Sequence, residues 1–303
     1  MKRNTATAAT ATAAAAVTDG LWRQCWRRLR SRPSAMVAAW ILGLIVAAAL
    51  LVPLLSPFDF ATPIWTEIFR APALAGGHLF GTDSLGRDLL VRVMWGCRIS
   101  LLVGVAASLI SVAIGVTWGA VAGYVGGRVD GALMRTVDVL YTVPFIPFVI
   151  VLEVLFGRQF LMVFIAIGAV SWLDIARIVR GQTLSIREHE YIEAARALGV
   201  RTGAMIWRHV LPNLIGLVAV YATLTIPGVI LFEALLSFLG LGVHAPLASL
   251  GSLVAEGANE MQANPYLLIF PAAFLATIIM CLNRLGDALR DALDPRHEHN
   301  PHD

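Results

Sequence analysis

The chain has 303 residues, of which 58% are hydrophobic and 14% charged, and its formal net charge is +3. A soluble domain carries about 45–50% apolar and about 25% charged residues, so this composition excludes a soluble globular protein and predicts an integral membrane protein. Lys2 is the only lysine. Because the phosphate-binding P-loop requires a lysine, the chain has no such nucleotide site. It also has neither a G-x-S-x-G nucleophile elbow nor an H-E-x-x-H zinc helix.

Residues 1–35 are predicted to form a cytoplasmic tail. The tail begins with an alanine- and threonine-rich stretch that has no core-forming pattern. The segment LWRQCWRRLR, from Leu21 to Arg30, follows it. Its apolar side chains fall on one helical face and its arginines lie mostly opposite, which indicates a short helix in the lipid headgroup region. A plain positive flank of the first span is the alternative interpretation.

Six apolar runs are each long enough to cross a hydrocarbon core of about 30 Å, which takes roughly 20 helical residues. We therefore predict an all-α polytopic membrane protein with six transmembrane helices. The third, fourth and fifth runs each contain one acid, Glu153, Asp174 and Glu233 respectively. In chain order the runs are Met36 to Leu55, Ile99 to Tyr124, Val139 to Phe156, Phe160 to Ile178, Leu211 to Leu239 and Tyr266 to Leu282.

The distribution of arginines predicts the orientation of these spans, because cytoplasmic flanks carry an excess of Lys and Arg. Arginines crowd the segment before the first run and the loop after the fourth, and the loop from Gly240 to Pro265 has none. This pattern predicts that both termini and the segment from Glu190 to His209 are cytoplasmic. The loop between the first two runs disagrees, since it carries four arginines on the predicted outer side, namely Arg70, Arg87, Arg92 and Arg98.

The second run carries a ridge of small residues. After Ala107, the residues Ser111, Gly115, Gly119 and Gly123 recur every four positions and so share one helical face. Small residues let membrane helices approach closely and gain dispersion energy. The ridge therefore predicts a helix–helix contact, either with a second subunit or with another helix of this chain.

Ionisable residues inside spans are costly and so suggest a role. Glu153 and Glu233 could line a translocation path, and the alternative for each is an acid that is hydrogen-bonded at a helix interface. Asp174 lies three and six residues before Arg177 and Arg180. Pairing along its own helix is sufficient to explain it.

A polar segment, EYIEAARALGVRTGAMIWRHVLPNLIGL, lies between the fourth and fifth runs. It predicts a short helix that ends at Gly199, where a glycine can take the left-handed conformation that closes a helix. A second helix is expected from about Thr202 towards Leu211. Pro212 then suits the first turn of the helix that re-enters the membrane.

The residues Glu193, Ala194, Ala195 and Gly199, followed by L-P at 211–212, resemble the EAA loop of bacterial ABC importer permeases. The resemblance implies the ABC type-1 importer fold and a coupling loop at about residues 179–210 that docks on a separate ATPase. It also implies that these four residues are the contact core. His209 departs from the broad consensus, which has isoleucine there. A solvated connecting loop is the alternative.

Three further blocks resemble the C-type subunits of oligopeptide and dipeptide permeases. They are HLFGTDSLGRDLLVR from His78, LLSFLGLG from Leu235 and NRLGDALRDALDPR from Asn283. Leu250 departs from the tryptophan usual in that family. The implied organisation is a first transmembrane helix at 36–55, an outer loop at 56–96, a transmembrane type-1 domain at 97–286 and a cytoplasmic tail at 287–303.

The resemblance also implies the partners of the chain. They are a related permease subunit that completes a heterodimer, two cytoplasmic subunits that bind ATP and Mg, an extracytoplasmic peptide-binding protein and a peptide substrate. The chain itself is expected to catalyse nothing, to hold no cofactor or metal, to bind no nucleic acid and to lie in the lipid of the bacterial inner membrane. Dipeptides, glutathione or a metal chelate are alternative cargoes. A secondary transporter should show inverted repeats, which are not evident.

Overall fold

The computed structural model describes residues 26–293 apart from residues 75–76, 158–159 and 244–245. Across these ranges the chain is mainly helical, and only an isolated bridge between Thr82 and Asp88 has β geometry. The alanine- and threonine-rich stretch, Lys2, most of the predicted headgroup helix and the last part of the C-terminal tail lie outside the described residues. The described end of that headgroup helix, residues 26–30, is helical.

Ten α-helices are named here in chain order within the described ranges. A π-helical segment, Ile206–Val210, follows α7 directly and connects it to α8. A short 3-10 turn, Trp65–Glu67, lies between α1 and α2. The helices are α1 (Pro33–Leu55), α2 (Leu89–Val125), α3 (Gly127–Thr142), α4 (Phe145–Phe156), α5 (Phe160–Arg187), α6 (Glu190–Ala197), α7 (Thr202–Met205), α8 (Leu211–Phe238), α9 (Leu250–Asn259) and α10 (Tyr266–Leu293).

Four helices of the described chain are long and apolar enough to cross a membrane: α1, α2, the continuous helix Thr202–Phe238 and α10. A fifth span exists if α3 and α4 are counted together, although they meet at an angle of 85°. The predicted third run, Val139 to Phe156, is therefore not one straight helix. Proline disfavours helical geometry in the residue before it, and Val143, which precedes Pro144, is extended at φ −74° and ψ 119°.

The small-residue ridge of α2 packs against α5 of the same chain. A Cβ atom added at Gly119 would lie 2.4 Å from the carbonyl oxygen of Ala176, and one at Gly123 would lie 2.8 Å from that of Arg180. At Gly115 the added atom would lie 2.7 Å from the Cβ of Ile175. Only residues without a side chain permit this approach. The sequence left open whether the ridge contacts a second subunit or another helix of this chain. These three glycines contact another helix of this chain.

The loop between α1 and α2 is folded around a mostly buried group of ionisable side chains, which we call the outer-loop cluster. Its members are Glu67, His78, Asp83, Arg87, Asp88 and Arg92. The carboxylate of Asp83 accepts hydrogen bonds from Arg87 and Arg92, each at 2.7 Å. The imidazole of His78 lies between Asp88 at 2.8 Å and Glu67 at 2.7 Å. Asp88 also caps α2 by accepting a hydrogen bond from the amide of Val91.

The glycines of the block around the outer-loop cluster are required by its geometry. Gly81 and Gly86 have φ angles of +81° and +73°, in the left-handed region that favours glycine. A Cβ at Gly86 would lie 1.9 Å from the carbonyl oxygen of Ile64, and one at Gly81 would lie 2.4 Å from that of Arg70. The backbone at Gly81 and Gly86 is therefore packed against an earlier part of the same loop, at Arg70 and Ile64.

The same loop is tied to the far end of the chain. Arg92 donates two hydrogen bonds to Glu256 of α9, at 2.6 and 3.1 Å, and the hydroxyl of Tyr266 donates to the carbonyl of Thr82 at 3.1 Å. Leu250, at the start of α9, is fully buried. Its side chain is therefore packed inside the chain and is not available to another protein.

Candidate coupling site

The segment between α5 and α8 forms the predicted pair of short helices. Gly199 has a φ of +78°, which confirms that a left-handed glycine ends the first of them. Its amide donates to the carbonyl of Arg196 at 2.9 Å, and the amide of Val200 donates to that of Ala195 at 3.2 Å. An added Cβ at Gly199 would meet nothing within 4 Å, so the requirement for glycine is conformational rather than steric.

The second short helix starts at Thr202, as predicted, and continues without a break into α8. The π-helical turn at Ile206–Val210 was not predicted. Pro212 has no amide hydrogen to donate to the carbonyl of Arg208, so one α-helical bond is missing next to this turn. The side-chain amide of Asn213 donates a hydrogen bond to the carbonyl of His209 at 2.6 Å. Such widened turns recur at functional sites in proteins.

One face of the segment is anchored to the spanning helices. Ile192 of α6 and Met205 of α7 are fully buried, and Ala195 is 9% exposed. Together with the start of α8 they form one apolar cluster with residues of α2 and α5. Its buried members are Ala120, Tyr124, Ile175, Val179, Ile186, Ile192, Ala195, Met205, Ile206, Val210 and Leu214. α6 is therefore packed against the ends of three long helices, α2, α5 and α8.

Two polar contacts strengthen this anchor. The side-chain amide of Asn213 donates to the hydroxyl of Tyr191 at 3.1 Å, which links α6 to α8. Burial raises the pKa of the Tyr191 hydroxyl, so it remains neutral at physiological pH. The guanidinium of Arg196 lies 5.7 Å from the centre of the Tyr124 ring, which links α6 to the end of α2.

The opposite face is open. Glu193, Ala194 and Gly199 are exposed, and the side chain of Leu198 is 85% exposed. We call these four residues the docking face. The four residues predicted as a contact core are thus divided, because Ala195 points inward and belongs to the anchor. Leu198 was missed, although an apolar residue directly before the helix-ending glycine was a signal available in the sequence.

Glu233 lies in a closed pocket of hydroxyl groups. Its carboxylate accepts hydrogen bonds from Ser100 of α2 at 3.0 Å and from Ser237 of α8 at 2.7 Å. Ser237 is also 3.2 Å from the hydroxyl of Ser249, which caps α9. The side chain of Glu233 is fully buried, and Glu153 of α4 is only 9% exposed. For Glu233 this geometry corresponds to the alternative of an acid that is hydrogen-bonded at a helix interface, because its carboxylate is buried and accepts hydrogen bonds from two hydroxyls.

An exposed line of polar side chains runs between α3 and α5 instead. Arg177 donates to Asp138 at 2.8 Å, and its guanidinium lies 4.1 Å from the centre of the Tyr141 ring. The hydroxyl of Tyr141 donates to Asp174. We call these four residues the polar seam. All four are exposed in this chain.

The predicted pairing of Asp174 along its own helix is therefore wrong. Arg180 forms a two-pronged pair with Asp130 of α3, at 2.5 and 2.6 Å, and Arg177 pairs with Asp138 of the same helix. Because α3 runs beside α5 and presents acids to it, both arginines find partners there. The carboxylate of Asp174 instead accepts a hydrogen bond from the hydroxyl of Tyr141. A single helix considered alone could not show this choice.

Comparisons with known proteins agree on one family. The family model described as binding-protein-dependent transport system inner membrane component matches residues 115–299. The N-terminal TM domain of oligopeptide transport permease C matches residues 20–72. Among solved structures, the inward-facing MetNI methionine ABC transporter superposes with a TM-score of 0.54 at 18% identity, covering 67% of this chain and 96% of that chain. The last similarity shows a shared fold.

The sequence relatives cover nearly the whole chain. It is 50% identical over 276 residues to the oligopeptide transport system permease protein OppC of Haemophilus influenzae, covering 91% of this chain and 89% of that protein. Identity to OppC of Escherichia coli is 49%, over 91% of each chain. The dipeptide transport system permease protein DppC of Bacillus subtilis is 42% identical over 90% of this chain and 85% of its own length. This protein therefore belongs to the family of inner membrane components of binding-protein-dependent transport systems.

Proposed function

We propose that this chain is the C-type permease subunit of a bacterial ABC importer for oligopeptides. The observation that carries the proposal is the coupling segment: an exposed docking face on a loop that is anchored to three long helices, in a chain without a P-loop. ATP would be bound and hydrolysed, with Mg, by two separate subunits. The chain itself would hold no cofactor and catalyse no reaction.

The cargo assignment rests on the relatives. Two of the similar proteins, at 50% and 49% identity, are named as oligopeptide permeases. Dipeptides are the second candidate, because OppC and DppC of Bacillus subtilis are equally similar to this chain at 42%. Growth of a deletion strain on di-, tri- and pentapeptides as sole amino-acid source separates the two. Loss of growth on dipeptides alone would favour the second candidate.

We further propose six spans with both termini in the cytoplasm. The four long apolar helices, the bent pair α3–α4 and α5 supply the six, and this arrangement leaves the docking face on the cytoplasmic side. A related permease subunit would complete a heterodimer in the inner membrane, and an extracytoplasmic binding protein would deliver the peptide. The bend between α3 and α4 remains compatible with one span, since spanning helices tolerate proline breaks where neighbours cover the backbone.

The polar seam is the surface best suited to line the translocation path. Arg177 and Asp138 are about half exposed, and charged side chains on a spanning bundle avoid lipid and face protein or water. Cysteine substituted at position 138, in a chain whose native cysteines are replaced by alanine, should react with a membrane-impermeant thiol reagent during turnover. The same substitution at Val151, an equally exposed apolar residue, should not react. Equal labelling at both positions would refute the assignment.

Transport would proceed by alternating access. Closure of the ATPase subunits on nucleotide would displace the docking face, and the cluster around Ile192 and Met205 would pass the displacement to α2, α5 and α8. The direct test uses proteoliposomes that contain the assembled complex. Peptide uptake should require ATP and a coupled binding protein. Uptake that continues without ATP while a proton gradient is present would mean a secondary transporter.

A further inference from the structure

A polar cavity lies between the first turn of α1 and the last turns of α10. Its volume is about 360 Å³. The cavity borders two helices that are each apolar enough to span the membrane. It takes no part in the coupling segment, the polar seam or the outer-loop cluster. Its lining residues are Arg32, Ser34, Arg284, Asp287, Ala288, Arg290 and Asp291.

The lining has an excess of positive charge. Three arginines face two aspartates, and one of these acids, Asp291, is already paired with Arg32. Within the part of the chain that the structure describes, neither Arg284 nor Arg290 has an ion-pair partner, and both are exposed. Two unpaired guanidinium groups beside one cavity can form two-pronged hydrogen bonds with the oxygens of a phosphate or carboxylate.

The start of α1 adds further donors to the same cavity. Arg32 is the N-cap residue of α1, and no side chain caps the helix there. The first amides of an uncapped helix carry a partial positive charge and favour an anion. Ser34, in the first turn, is one of the lining residues. These groups add to the arginines, which remain the principal ligands.

Exposed apolar side chains lie one helical turn beyond the cavity on both helices. Residues three or four apart share one face of a helix, so Val37 lies one turn beyond Ser34 and Met280 lies one turn before Arg284. Both are 57% exposed. A soluble anion needs no apolar surface, whereas a phospholipid needs a cationic cavity for its phosphate and apolar surface for its acyl chains.

We propose that this cavity binds the headgroup of an anionic phospholipid. Arg284 and Arg290 hold the phosphodiester, and the acyl chains lie along the exposed faces of α1 and α10. The proposal rests on the cytoplasmic termini of the proposed function, which place the cavity at the inner leaflet. Basic cavities between spanning helices on that side are suited to anionic lipids. A zwitterionic headgroup is disfavoured, because one of the two acids is engaged by Arg32.

The test is lipid binding to the purified full-length chain, measured by native mass spectrometry with phosphatidylglycerol and phosphatidylcholine of identical acyl composition. The chain should bind phosphatidylglycerol preferentially. The double variant Arg284→Gln, Arg290→Gln should lose about 30-fold in affinity for it. The matched control, Arg128→Gln with Arg135→Gln on α3, removes the same charge from exposed positions away from the cavity. It should bind as the unsubstituted chain does.

Three outcomes would overturn the proposal. Unchanged binding in the cavity variant would show that the cavity is not the site, and an equal loss in both variants would show general attraction to positive charge. Competition by inorganic phosphate at the affinity of the lipid would show a site for soluble anions. Circular dichroism and gel filtration establish that both variants are folded. Because the assay needs neither ATP nor peptide, its failure is separable from failure of the proposed transport function, which is measured by uptake.

Discussion

Neighbouring residues of the EAA-type motif have different surroundings because a helix turns by about 100° per residue. Ala195 faces the spanning helices and contacts the apolar cluster, whereas Glu193 and Ala194 face outward. Leu198 stands beyond the end of α6 with 85% of its surface exposed. A large apolar side chain held at the tip of a polar loop gains stability only when a partner covers it.

Leu198 should therefore contribute to the affinity for the ATPase subunits. Burial of a leucine contributes about 1.5–3 kcal/mol, so Leu198→Glu should weaken the complex by at least roughly tenfold. The measurement is recovery of ATPase subunits with the tagged chain from detergent extracts. The control is Leu74→Glu, which changes an equally exposed leucine in the α1–α2 loop. Equal recovery with both variants would contradict a docking role for Leu198.

Glu233 should be important for stability rather than for transport. Glu233→Ala leaves the hydroxyls of Ser100 and Ser237 without their acceptor and opens a cavity, so we expect a loss of about 3 kcal/mol in the free energy of unfolding. Glu233→Gln keeps an acceptor oxygen and should lose less than about 1 kcal/mol. Thermal unfolding and peptide uptake are measured on both variants. Abolished uptake in a fully stable Gln variant would instead identify Glu233 as a path residue.

At the scale of helices, α2 organises the bundle. Its ridge brings the backbone of α5 close, and its inner end belongs to the cluster that anchors the coupling segment. The carbonyl of Ala176 occupies the space that a side chain at position 119 would need. Tight packing therefore fixes the relative position of α2 and α5, and with it the position of the docking face.

Gly119→Ala should destabilise the isolated subunit. The added methyl group would lie 2.4 Å from the Ala176 carbonyl, and overpacking of this kind costs about 1–3 kcal/mol. Gly216→Ala in α8 is the matched control, because its Cβ would meet nothing within 4 Å, and it should be neutral or stabilising. The measurement is the melting temperature of each variant in detergent. If both variants melt alike, the ridge is not a close contact.

Hydropathy was sufficient to predict that α1, α2, α8 and α10 exist, because an apolar run of that length has few alternatives to a spanning helix. The start of α2 was not predicted, since it lies at Leu89, inside the predicted outer loop at 56–96. The motif also predicted the turn at Gly199. The bend follows locally from Pro144, whereas the pairing of Arg177 with Asp138 depends on how α3 lies beside α5. The division between Ala195 and Leu198 likewise requires knowledge of the helix that covers Ala195. Ion pairing and burial of this kind depend on contacts between distant segments, which a local sequence pattern does not contain.

At the scale of the whole molecule, the arginines of the α1–α2 loop are compatible with an outer position. Arg87 and Arg92 share the carboxylate of Asp83, Arg70 pairs with Glu67 at 3.0 Å, and Arg98 donates to backbone carbonyls at the end of α1. Three of the four thus have an acidic partner within the fold, and Arg98 has neutral acceptors. The number of arginines on the predicted outer side, which is what the orientation rule counts, is unchanged.

The two ends of the molecule are built differently. Arg92 of the outer-loop cluster binds Glu256 of α9, and the carbonyl of Thr82 in the same loop accepts a hydrogen bond from Tyr266 of α10, which makes that end a compact unit. The opposite end presents the docking face on a short, exposed loop with a rigid anchor. In the proposed function, this protruding element is the part of the chain that contacts an ATPase subunit.

Contact between the docking face and an ATPase subunit is the central claim. A photo-crosslinking amino acid placed at position 198 of the assembled transporter tests it most directly, with position 74 as the control. If Leu198 contacts an ATPase subunit, position 198 gives a covalent product of this chain with that subunit, and position 74 gives none. An assembled, ATP-hydrolysing transporter that gives no such product from position 198 would contradict it.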